Sequence, residues 1–588
     1  MQKWLVASKK ADFDRIAEKY NIDKVIARII RNRDVVSDEE IELFLNGTME
    51  NLHAPSLMMD MDKATDILKE RISKGEHIRI IGDYDVDGIC STYILLCGLR
   101  ALNANVDIKI PHRIKDGYGL NDSLIEEAKE DKVDLILTCD NGIAAISQIE
   151  LANSYGIDVI VTDHHEVPFY LEEEKKVYTL PNALAVVDHK REDCNYPFKS
   201  ICGAFIAYKL IENILDGEKT HVLEELIPFA ALATICDVMD LKDENRIIVK
   251  EGLKRMNKTN NLGLKALLIV NGLEEKTLTN YHVGFIIGPC LNATGRLDTA
   301  KRALELFDAK TFAEASVIAN ELKELNESRK KMTEDGVLEA INTIENESLN
   351  KDDVLVIYLK GTHESLAGII AGRIKEKYNK PTFVLTDAED GIKGSGRSIE
   401  SYDMYENLNK VKDLFVRFGG HKMAAGISLR NVEDILSLRK RLNDNSTLTE
   451  DDFIKKIHID VPMPLSYISM DFINSLDILE PFGTANPKPV FATKNISFLS
   501  YKRIGKNKNV GKFKITDEAK RSFDMVYFGD LDEFEEYIRA NFGKDQYDNL
   551  TVGRCNIGEI VMSIVYYPEI NEYKGISNIQ IIMNYYSR

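Results

Sequence analysis

The stretch VDLILTCDNGIAAISQIELANSYGIDVIVTDHH (133–165) contains the pattern that decides the fold. Two short and almost continuously apolar runs, VDLILTCD and IDVIVTD, are separated by a segment with helical periodicity. Apolar runs joined by a helix are typical of neighbouring parallel strands that are covered on both faces. The same alternation extends outward from about residue 76 to 190, where HIRIIGD, VDIKIP and ALAVVD predict further strands. We therefore expect an α/β domain built on a parallel sheet.

The length of the chain indicates several domains. At 588 residues it is too long for one hydrophobic core. A second alternation of strands and helices follows a long charged helical segment, and short strands with turns fill the C-terminal part, which is typical of a small β-barrel. The predicted divisions are an N-terminal helical extension (1–45), a first α/β domain (46–300), a connecting helix (301–346), a second α/β domain (347–455) and a barrel (456–588).

Composition limits the classes of function. Hydrophobic residues are 44% and charged residues 29%, as in ordinary globular proteins. No apolar run reaches the roughly 18 residues of a membrane span, and the N-terminus lacks a signal-peptide pattern. The eight cysteines form no CxxC pair and are typical of reduced, buried thiols. We expect a cytoplasmic protein with no membrane partner.

The formal charge of −19 disfavours a nucleic-acid partner when taken alone, because phosphate contacts need basic surface. Two features weaken that objection. A carboxylate-rich metal site contributes negative charge that bound cations neutralise, and the basic residues are clustered along the chain. The net charge therefore describes solubility and not function.

Acidic residues and histidines stand at the ends of the predicted strands, where open α/β sheets bind their ligands. They are Asp83, Asp85, Asp140, Asp163, His164, His165 and Asp188, and a helix-like run delivers Asp237. Any one acidic residue after a strand is explained equally well as a turn or helix-cap residue. Two adjacent histidines directly after an apolar strand have no capping role, and Asp83 and Asp85 are spaced to face the same side of their loop. Together the set indicates a metal site.

The types of side chain narrow the metal and the chemistry. Carboxylates with histidine suit Mn²⁺ or Mg²⁺, and no cysteine cluster is present to favour Zn²⁺. There are enough carboxylates for two ions. A pair of ions predicts phosphoryl chemistry, with one ion activating water and both stabilising the pentacoordinate phosphorus.

Asp-His-His after a strand, with an upstream Asp-x-Asp-x-x-Gly at 83–88, resembles the DHH phosphoesterase superfamily. The resemblance implies a parallel-sheet DHH domain, a connecting helix and a DHH-associated substrate-binding domain. It implies that the metal ligands are Asp83, Asp85, Asp140, His164 and Asp237, and that the catalytic residues are His165, Asp163 and Asp140. Asp163 would orient a histidine, and His165 would contact the scissile phosphate or protonate the leaving group. Asp87 would shape the loop, and we assign Asp188 to a turn.

Further motifs resemble the RecJ family of single-strand-specific 5′→3′ DNA exonucleases within that superfamily. They include HRIKDGYGLN (112–121), IGPCLNATGRLDTA (287–300), GSGRSI (394–399), FGGHKMAAG (418–426) and PFGTANPKPVF (481–491). This resemblance implies that residues 456–588 form an oligonucleotide-binding (OB) barrel. It also implies that the substrate-binding residues are Arg113, Asn292, Arg296, His363, Arg373, Ser395, Arg397, Gly420 and His421.

The predicted hairpin around residues 494–514 carries seven Lys or Arg and no acidic residue, with Phe498, Tyr501 and Phe513 interleaved. A charged hairpin is usually a solvated sheet edge that resists aggregation. On a small barrel, basic residues with aromatics also suit a single strand, through phosphate contacts and base stacking. Given the resemblance, we favour the second interpretation.

The expected activity is 5′→3′ hydrolysis of single-stranded DNA to 5′-mononucleotides by two Mn²⁺ or Mg²⁺ ions, in DNA repair and recombination. Hydrolysis of short oligonucleotides or cyclic dinucleotides is one alternative, and a DHH scaffold that binds DNA without catalysis is another. The expected partner is single-stranded DNA, with single-strand-binding protein and a helicase as further candidates. We expect a monomer.

Overall fold

The computed structural model describes residues 2–113, 117–173, 175–297, 299–389, 391–573 and 575–588. The chain divides into two units, Thr48–Lys455 and Met1–Gly47 together with Lys456–Arg588. Part of the HRIKDGYGLN motif, residues 114–116, lies outside the described residues. Within the described parts of the chain, no helix is long and apolar enough to cross a membrane.

The predicted parallel sheet is present in the larger unit. Its strands are β1 (His77–Ile81), β2 (Asn105–Lys109), β3 (Leu135–Cys139), β4 (Asp158–Thr162) and β5 (Ala185–Val187). They are ordered β2-β1-β3-β4-β5, and every pair is parallel. β3 is buried at every position, because Leu135 and Leu137 face one helical layer and Ile136 faces the other. Coverage of both faces explains the continuous apolar runs.

Helices cover both faces of this sheet. Those of this part of the unit are Met61–Lys74, Val86–Ala101, Asp122–Glu130, Ile146–Ser154, Gly203–Leu215, Thr220–Cys236, Asp243–Met256, Leu262–Val270, Gly288–Leu297 and Lys301–Asp308. A two-stranded hairpin, Phe169–Glu172 with Lys175–Tyr178, is inserted after β4. The described residues from 200 to 300 are mostly helical.

One long helix, Phe312–Asn346, follows this layer. It is 35 residues long, about 52 Å at 1.5 Å per residue. Ala315, Ile318 and Leu322 pack in the core around the parallel sheet. Ala340 and Ile344 pack in the core of the next sheet. A single helix therefore contributes to two hydrophobic cores, which fixes their relative position within the unit.

The second sheet contains β6 (Leu355–Tyr358), β7 (Thr382–Ala388), β8 (Gly391–Arg397), β9 (Phe415–His421) and β10 (Ala424–Leu429). Their order is β9-β10-β8-β7-β6, and only the β6–β7 pair is parallel. Ala367–Tyr378 packs with the long helix on this sheet, and Met404–Asn409 and Glu433–Asp444 belong to a separate core.

The smaller unit contains an OB-like barrel. Its strands, in spatial order, are Phe491–Ile504, Val510–Thr516, Ser522–Tyr527, Ile576–Ser587 and Val561–Tyr573, and the last of these also pairs with the first. Two helices, Leu531–Phe542 and Lys544–Val552, lie in the chain between the strands Ser522–Tyr527 and Val561–Tyr573. The short strand Val461–Pro462 adds to the sheet edge, and the helix Met470–Ser475 precedes the barrel strands.

Residues 2–47 form part of this smaller unit. They form the strand Gln2–Val6, which pairs with Lys455–Ile459, and the helices Phe13–Tyr20, Lys24–Asn32 and Asp38–Asn46. Ile26 and Ile29 share a core with barrel residues. Arg33 donates to both carboxylate oxygens of Asp460, at 2.5 and 2.9 Å. The N-terminal helices are therefore integrated with the C-terminal segment.

The expectation that Phe498, Tyr501 and Phe513 stack on DNA bases is wrong. Their exposed fractions are 0%, 3% and 1%. The three rings pack on one another and on Phe534 inside the barrel. Alternation along a strand places an aromatic next to a lysine in sequence while the two side chains point to opposite faces.

Candidate metal centre and phosphate cavity

Strands β1, β3 and β4 are neighbours, so the residues that follow them meet at one edge of the sheet. Asp83 and Asp85 lie in the loop after β1, Asp140 directly follows β3, and Asp163, His164 and His165 follow β4. Asp237 is the C-terminal cap of the helix Thr220–Cys236. The structure therefore brings together all five residues expected to bind metal.

The distances between these side chains suit shared cations. Nε2 of His164 lies 3.0 Å from Asp140 Oδ1 and 3.7 Å from Asp237 Oδ2. Ligand atoms of Asp83, Asp85 and Asp140 all lie within 4.8 Å of one another. Asp140 Oδ1 and Asp237 Oδ2 are buried and accept no hydrogen bond from described residues. Buried carboxylate oxygens without donors must be neutralised, either by bound cations or by protons.

The electrostatics of the cluster point the same way. Burial, with the charge of Asp85, raises the pKa of Asp83 to about 8. Burial, with the charges of Asp87 and Asp85, raises the pKa of Asp237 to about 8. Burial and neighbouring carboxylates also raise the pKa of Asp140 well above its usual value. When ionised, these buried carboxylates repel one another. Bound divalent cations would relieve that repulsion.

His165 is held differently from His164. Its Nδ1 lies 2.7 Å from Asp163 Oδ1. Burial is the largest influence and lowers the pKa of His165, but the hydrogen bond to Asp163 and the charges of Asp163, Asp237 and Asp87 together outweigh it and raise the pKa to about 9. Burial alone would raise the pKa of Asp163, yet His165 holds it below the usual value. Asp163 also accepts the backbone N–H of Ile143 at 2.9 Å, which fixes the carboxylate that orients the imidazole.

Tyr118 contacts Asp140 and His165, which the sequence did not predict. Its hydroxyl donates to the backbone oxygen of Asp140 at 2.8 Å and lies 3.1 Å from both ring nitrogens of His165. The tyrosine thereby links β3 to the histidine loop. The only sequence signal for Tyr118 is its position in the HRIKDGYGLN motif.

Asp87 lies closer to the cluster than expected. Its Oδ2 is 3.5 Å from His164 Nε2. Its two carboxylate oxygens accept the backbone N–H groups of Gly203 and Ala204, both at 2.7 Å. Asp87 therefore anchors the N-terminus of the helix Gly203–Leu215 beside the metal ligands. This contact joins residues far apart in the chain, so spacing could not predict it.

Asp188 is also more than a surface turn residue. It is fully buried after β5 and accepts the backbone N–H of Lys190 at 2.7 Å. Burial, with the charge of Asp163, raises the pKa of Asp188 to about 8. Asp188 thus adds a further buried carboxyl group to this edge of the sheet.

A cavity of about 480 Å³ adjoins the metal centre. Tyr84, which stands between Asp83 and Asp85, lines it together with Arg113, Arg296, Glu364, Ser365, Gly368, Ile369, Lys393, Gly394, Ser395, Arg397, Arg417, Phe418, Gly419, Gly426, Ile427 and Ser428. The guanidinium of Arg113 lies 4.8 Å from the centre of the Tyr84 ring. One loop therefore serves both the carboxylate cluster and the cavity.

The floor of the cavity is one face of the second sheet. Lys393, Ser395 and Arg397 alternate along β8, so they share a face. Lys393 pairs across the sheet with Ser428, and Ser428 pairs with Arg417. In the next row Ser395 pairs with Gly426, and Gly426 with Gly419. Lys393 forms an ion pair with Glu364 at 3.0 Å. Arg397 and Arg417 border a strip of bare backbone without such a partner among the described residues, which suits close approach by an anion.

The wall opposite the floor contributes Arg296 and the start of a helix. Arg296 donates to the backbone oxygen of Ser365 at 2.5 Å. Burial, with the charges of Arg113, Arg329 and Arg397, lowers the pKa of Arg296 to about 10. Ser365, Gly368 and Ile369 bring the N-terminal turn of the helix Ala367–Tyr378 to the cavity. The positive end of a helix favours phosphate there.

The structure separates the predicted substrate-binding residues into two groups. Arg113, Arg296, Ser395 and Arg397 line the cavity. His363 reaches it indirectly, because its Nδ1 lies 2.7 Å from Ser365 Oγ. Asn292, Arg373, Gly420 and His421 are not among the described lining residues. Sequence reasoning missed Lys393 and Arg417, although period-two alternation from Ser395 indicates Lys393.

The arginines near the cavity differ from most of the others in this unit. Arg71, Arg79, Arg100, Arg191, Arg255, Arg302, Arg439 and Arg441 each pair with a carboxylate. Among the described residues, no carboxylate lies within 4.0 Å of Arg113, Arg296, Arg329, Arg373, Arg397 or Arg417. The charge of Arg373 lowers the pKa of Arg329, after burial, and Arg329 acts likewise on Arg296. Unpaired cations therefore extend from the cavity towards Arg373.

Fold and site together define a DHH phosphoesterase, with a parallel sheet that presents a carboxylate–histidine cluster to a basic second domain. Family models agree: the DHH family N-terminal domain matches residues 77–234, the DHHA1 domain matches 351–446 and the RecJ OB domain matches 459–585. The chain belongs to the RecJ family.

Individual relatives support this assignment. The chain is 33% identical to the single-stranded-DNA-specific exonuclease RecJ of Escherichia coli, over 79% of this chain and 82% of that protein. It is 38% identical to RecJ of Bacillus subtilis, over 88% of this chain and 65% of that protein. The crystal structure of Thermus thermophilus RecJ with Mn²⁺ superposes with a TM-score of 0.81 at 25% identity, covering 100% of this chain and 79% of that one.

Proposed function

We propose that this protein is a single-strand-specific DNA exonuclease that releases 5′-mononucleotides from the 5′ end. The observation that carries the proposal is the shared Tyr84 loop, which joins a carboxylate–histidine cluster to a cavity lined by unpaired arginines. A phosphodiester fits this arrangement because the cluster needs cations and the cavity needs anions. The RecJ relatives carry the corresponding activity in their names.

The ligand set of Asp83, Asp85, Asp140, His164 and Asp237 would hold two Mn²⁺ or Mg²⁺ ions. When bound, such ions supply an activated water and neutralise charge on the phosphate. Their carboxylate and imidazole ligands, and the buried oxygens without donors, fit these cations.

The protein residues then position and protonate the substrate. The cavity holds the terminal nucleotide, with its 5′-phosphate against Arg397, Ser395 and the helix start at Gly368. The scissile phosphate, which belongs to the second nucleotide, lies at the cluster. Water adds to that phosphorus, the bond to the 3′ oxygen of the first nucleotide breaks, and His165 donates a proton to this oxygen. The contact between His165 Nδ1 and Asp163 Oδ1, at 2.7 Å, favours the protonated imidazole that this step needs.

The phosphate cavity supports the proposed polarity. After each cleavage the remaining strand begins with a 5′-phosphate, which is the group that the cavity binds. A cavity of about 480 Å³ has the size of a small-molecule site and accepts one nucleotide. A base pair would not enter it, and this explains the requirement for a single strand.

We assign supporting roles to the other predicted residues. Arg373, with Arg329, would contact backbone phosphates outside the cavity, and Asn292 would do so from the helix that carries Arg296. His363 would position Ser365. Gly420 and His421 would shape the β9–β10 hairpin, since a Cβ at Gly420 would lie 2.3 Å from the backbone oxygen of Ala424.

The barrel would hold the strand through charge. Lys494, Lys502, Lys506, Lys508 and Lys514 are exposed on it, whereas Arg503 pairs with Asp532 and Glu535. Such contacts predict binding that weakens steeply with salt. We further propose a cytoplasmic monomer that acts with single-strand-binding protein and a helicase. The molar mass from light scattering tests whether the protein is a monomer. The rate of digestion of strands coated with single-strand-binding protein, or unwound by a helicase, tests whether these proteins assist it.

The deciding experiment uses 5′-phosphorylated strands of about 20 nucleotides, blocked at one end or the other, with Mn²⁺. The expected products are 5′-mononucleotides, and a block at the 5′ end alone should prevent their release. Digestion from the 3′ end would contradict the polarity. A preference for dinucleotides or cyclic dinucleotides over long strands would support a small-substrate DHH phosphodiesterase instead.

A further inference from the structure

Two aromatic rings stand exposed on the helix that leads to the phosphate cavity. The exposed fractions of Tyr281 and Phe285 are 62% and 66%. Their ring centres are 5.2 Å apart with an interplanar angle of 24°, so the rings are stacked on each other. Burial is the usual state of rings of this size, and an exposed ordered pair has not gained that stabilisation.

The backbone around this pair has an unusual conformation. Residues 280–297 form one continuous helix, in which Val283–Ile287 is a π-helical turn. Single π-helical turns inside α-helices occur frequently at functional sites. The wider turn contains Phe285 and follows Tyr281, so it sets how the two rings are presented.

Glycine contacts locate the pair relative to the metal centre. A Cβ on Gly288 would lie 2.4 Å from Cys236 Sγ, and one on Gly284 would lie 3.5 Å from Ile235. Cys236 directly precedes the metal-ligand candidate Asp237. The helix therefore passes against the segment that delivers Asp237, and Phe285 lies between the two contact points.

The same helix gives an order along the substrate path. Phe285 comes first, then Gly288 beside Cys236, then Arg296 in the cavity wall. Phe285 and Arg296 are 11 residues apart in sequence, or roughly 16 Å along the axis. Phe285 therefore lies level with the Asp237 segment along this helix, and the cavity wall at Arg296 lies further towards the C-terminal end.

We propose that Tyr281 and Phe285 form a stacking platform for nucleobases of the strand that remains after cleavage, a few nucleotides beyond the scissile phosphate. This rests on the proposed function. The chemistry favours a nucleobase as occupant because the pair shares its helix with Arg296 of the cavity wall and every base has a face that stacks on an aromatic ring. The platform would hold the strand between successive cleavages without selecting a sequence.

The test is the double variant Tyr281→Ala/Phe285→Ala, assayed on 5′-phosphorylated strands from dinucleotide to about 20 nucleotides. We expect KM for the longest strand to rise about tenfold, the loss typical of one base stack. The rise should grow with strand length, and kcat should change little. The conservative variant Tyr281→Phe/Phe285→Tyr keeps both rings and should retain the parental KM.

Abasic substrates provide an independent readout. An abasic site placed in turn at the second to fifth nucleotide should weaken binding to the parent at the positions that stack, and should have no further effect on the alanine variant. Leu338→Ala, at a residue 61% exposed on the helix Phe312–Asn346, is the matched control for loss of a surface apolar group.

Two failures are distinguishable. A parent protein that shortens no single strand contradicts the proposed function itself. A parent that digests normally, with an alanine variant whose KM is unchanged at every length, overturns the stacking platform and leaves the exonuclease intact. An equal rise in KM at all lengths, or an equal abasic effect in parent and variant, would also overturn it.

Discussion

Replacing Gly426 by alanine should separate activity from stability. Gly426 is the central residue of the row Ser395–Gly426–Gly419 on the cavity floor. A Cβ there would meet no atom within 4 Å, so the methyl group would project into the cavity. Because the backbone of Gly426 does not require glycine, losing unfolded-state freedom should leave the free energy of unfolding unchanged or raise it by up to about 1 kcal/mol.

The expected loss of activity follows from the contacts that the methyl group displaces. A terminal phosphate lifted from the floor would lose one charge-assisted hydrogen bond to Ser395 or to backbone, which contributes about 1.5–3 kcal/mol. At 1.4 kcal/mol per factor of ten, kcat/KM for a 5′-phosphorylated strand should fall about 10- to 100-fold. A strand with a 5′-hydroxyl has no phosphate to lift and should be affected much less.

Gly420→Ala is the matched comparison. Gly420 has φ of 146°, and its Cβ would lie 2.3 Å from the backbone oxygen of Ala424, so this variant should lose stability. Urea unfolding and initial-rate kinetics on both variants complete the assay. If Gly426→Ala keeps full activity on the phosphorylated strand, or loses activity only in proportion to its stability, the phosphate does not rest on this floor.

Three further outcomes are expected. Asp140→Asn should reduce Mn²⁺-dependent hydrolysis by at least about 100-fold, while fluorescence anisotropy in chelator shows unchanged single-strand binding; retained activity would remove Asp140 from the ligand set. In chelator, the free energy of unfolding should fall as pH rises from about 5 to 8. The pKa values of Asp83 and Asp237 are raised to about 8 in the folded protein. The folded state therefore still holds protons that the unfolded chain has already released. Saturating Mn²⁺ should abolish this decline in urea titrations, and a flat profile in chelator would contradict it. Phe498→Ala should lower the free energy of unfolding by about 3–5 kcal/mol. Lys506→Ala/Lys508→Ala should leave the urea midpoint unchanged, weaken the binding of single-stranded DNA and reduce the salt dependence of that binding. If Phe498→Ala is stable but binds DNA poorly, the Phe498 ring contacts DNA after all.

The sequence was sufficient for the fold because the signals were local. The continuous apolar runs at 135–139 and 158–162 report coverage on both faces, and a parallel sheet must place the residues after its strands at one edge. That topological rule, more than any single motif, brings Asp140 and His164 together. The histidine pair was informative because it fits no capping or turn role.

Contacts between distant segments were not predictable in the same way. Asp87 anchors Gly203 and Ala204, more than 110 residues away in sequence, and no spacing records that contact. Aromatic residues in the barrel were misplaced for a different reason. A strand beside basic residues reads equally well with its rings inward or outward, and only the closure of the sheet decides that Phe498 and Phe513 fill the core.

The chain is acidic, yet it is proposed to bind DNA. The distribution of ion pairs explains how both can hold. Most arginines elsewhere in the larger unit, such as Arg79 and Arg191, are neutralised by carboxylates. Among the described residues, the guanidinium groups around the cavity have no carboxylate partner, and the carboxylates of the metal centre have no cationic partner other than histidine. The loop that carries Tyr84 lies between the excess of positive charge in the cavity and the excess of negative charge at the metal centre. Either excess alone is unfavourable in a partly buried site, and a phosphodiester with bound cations relieves both at once, so the arrangement selects a substrate that spans the two.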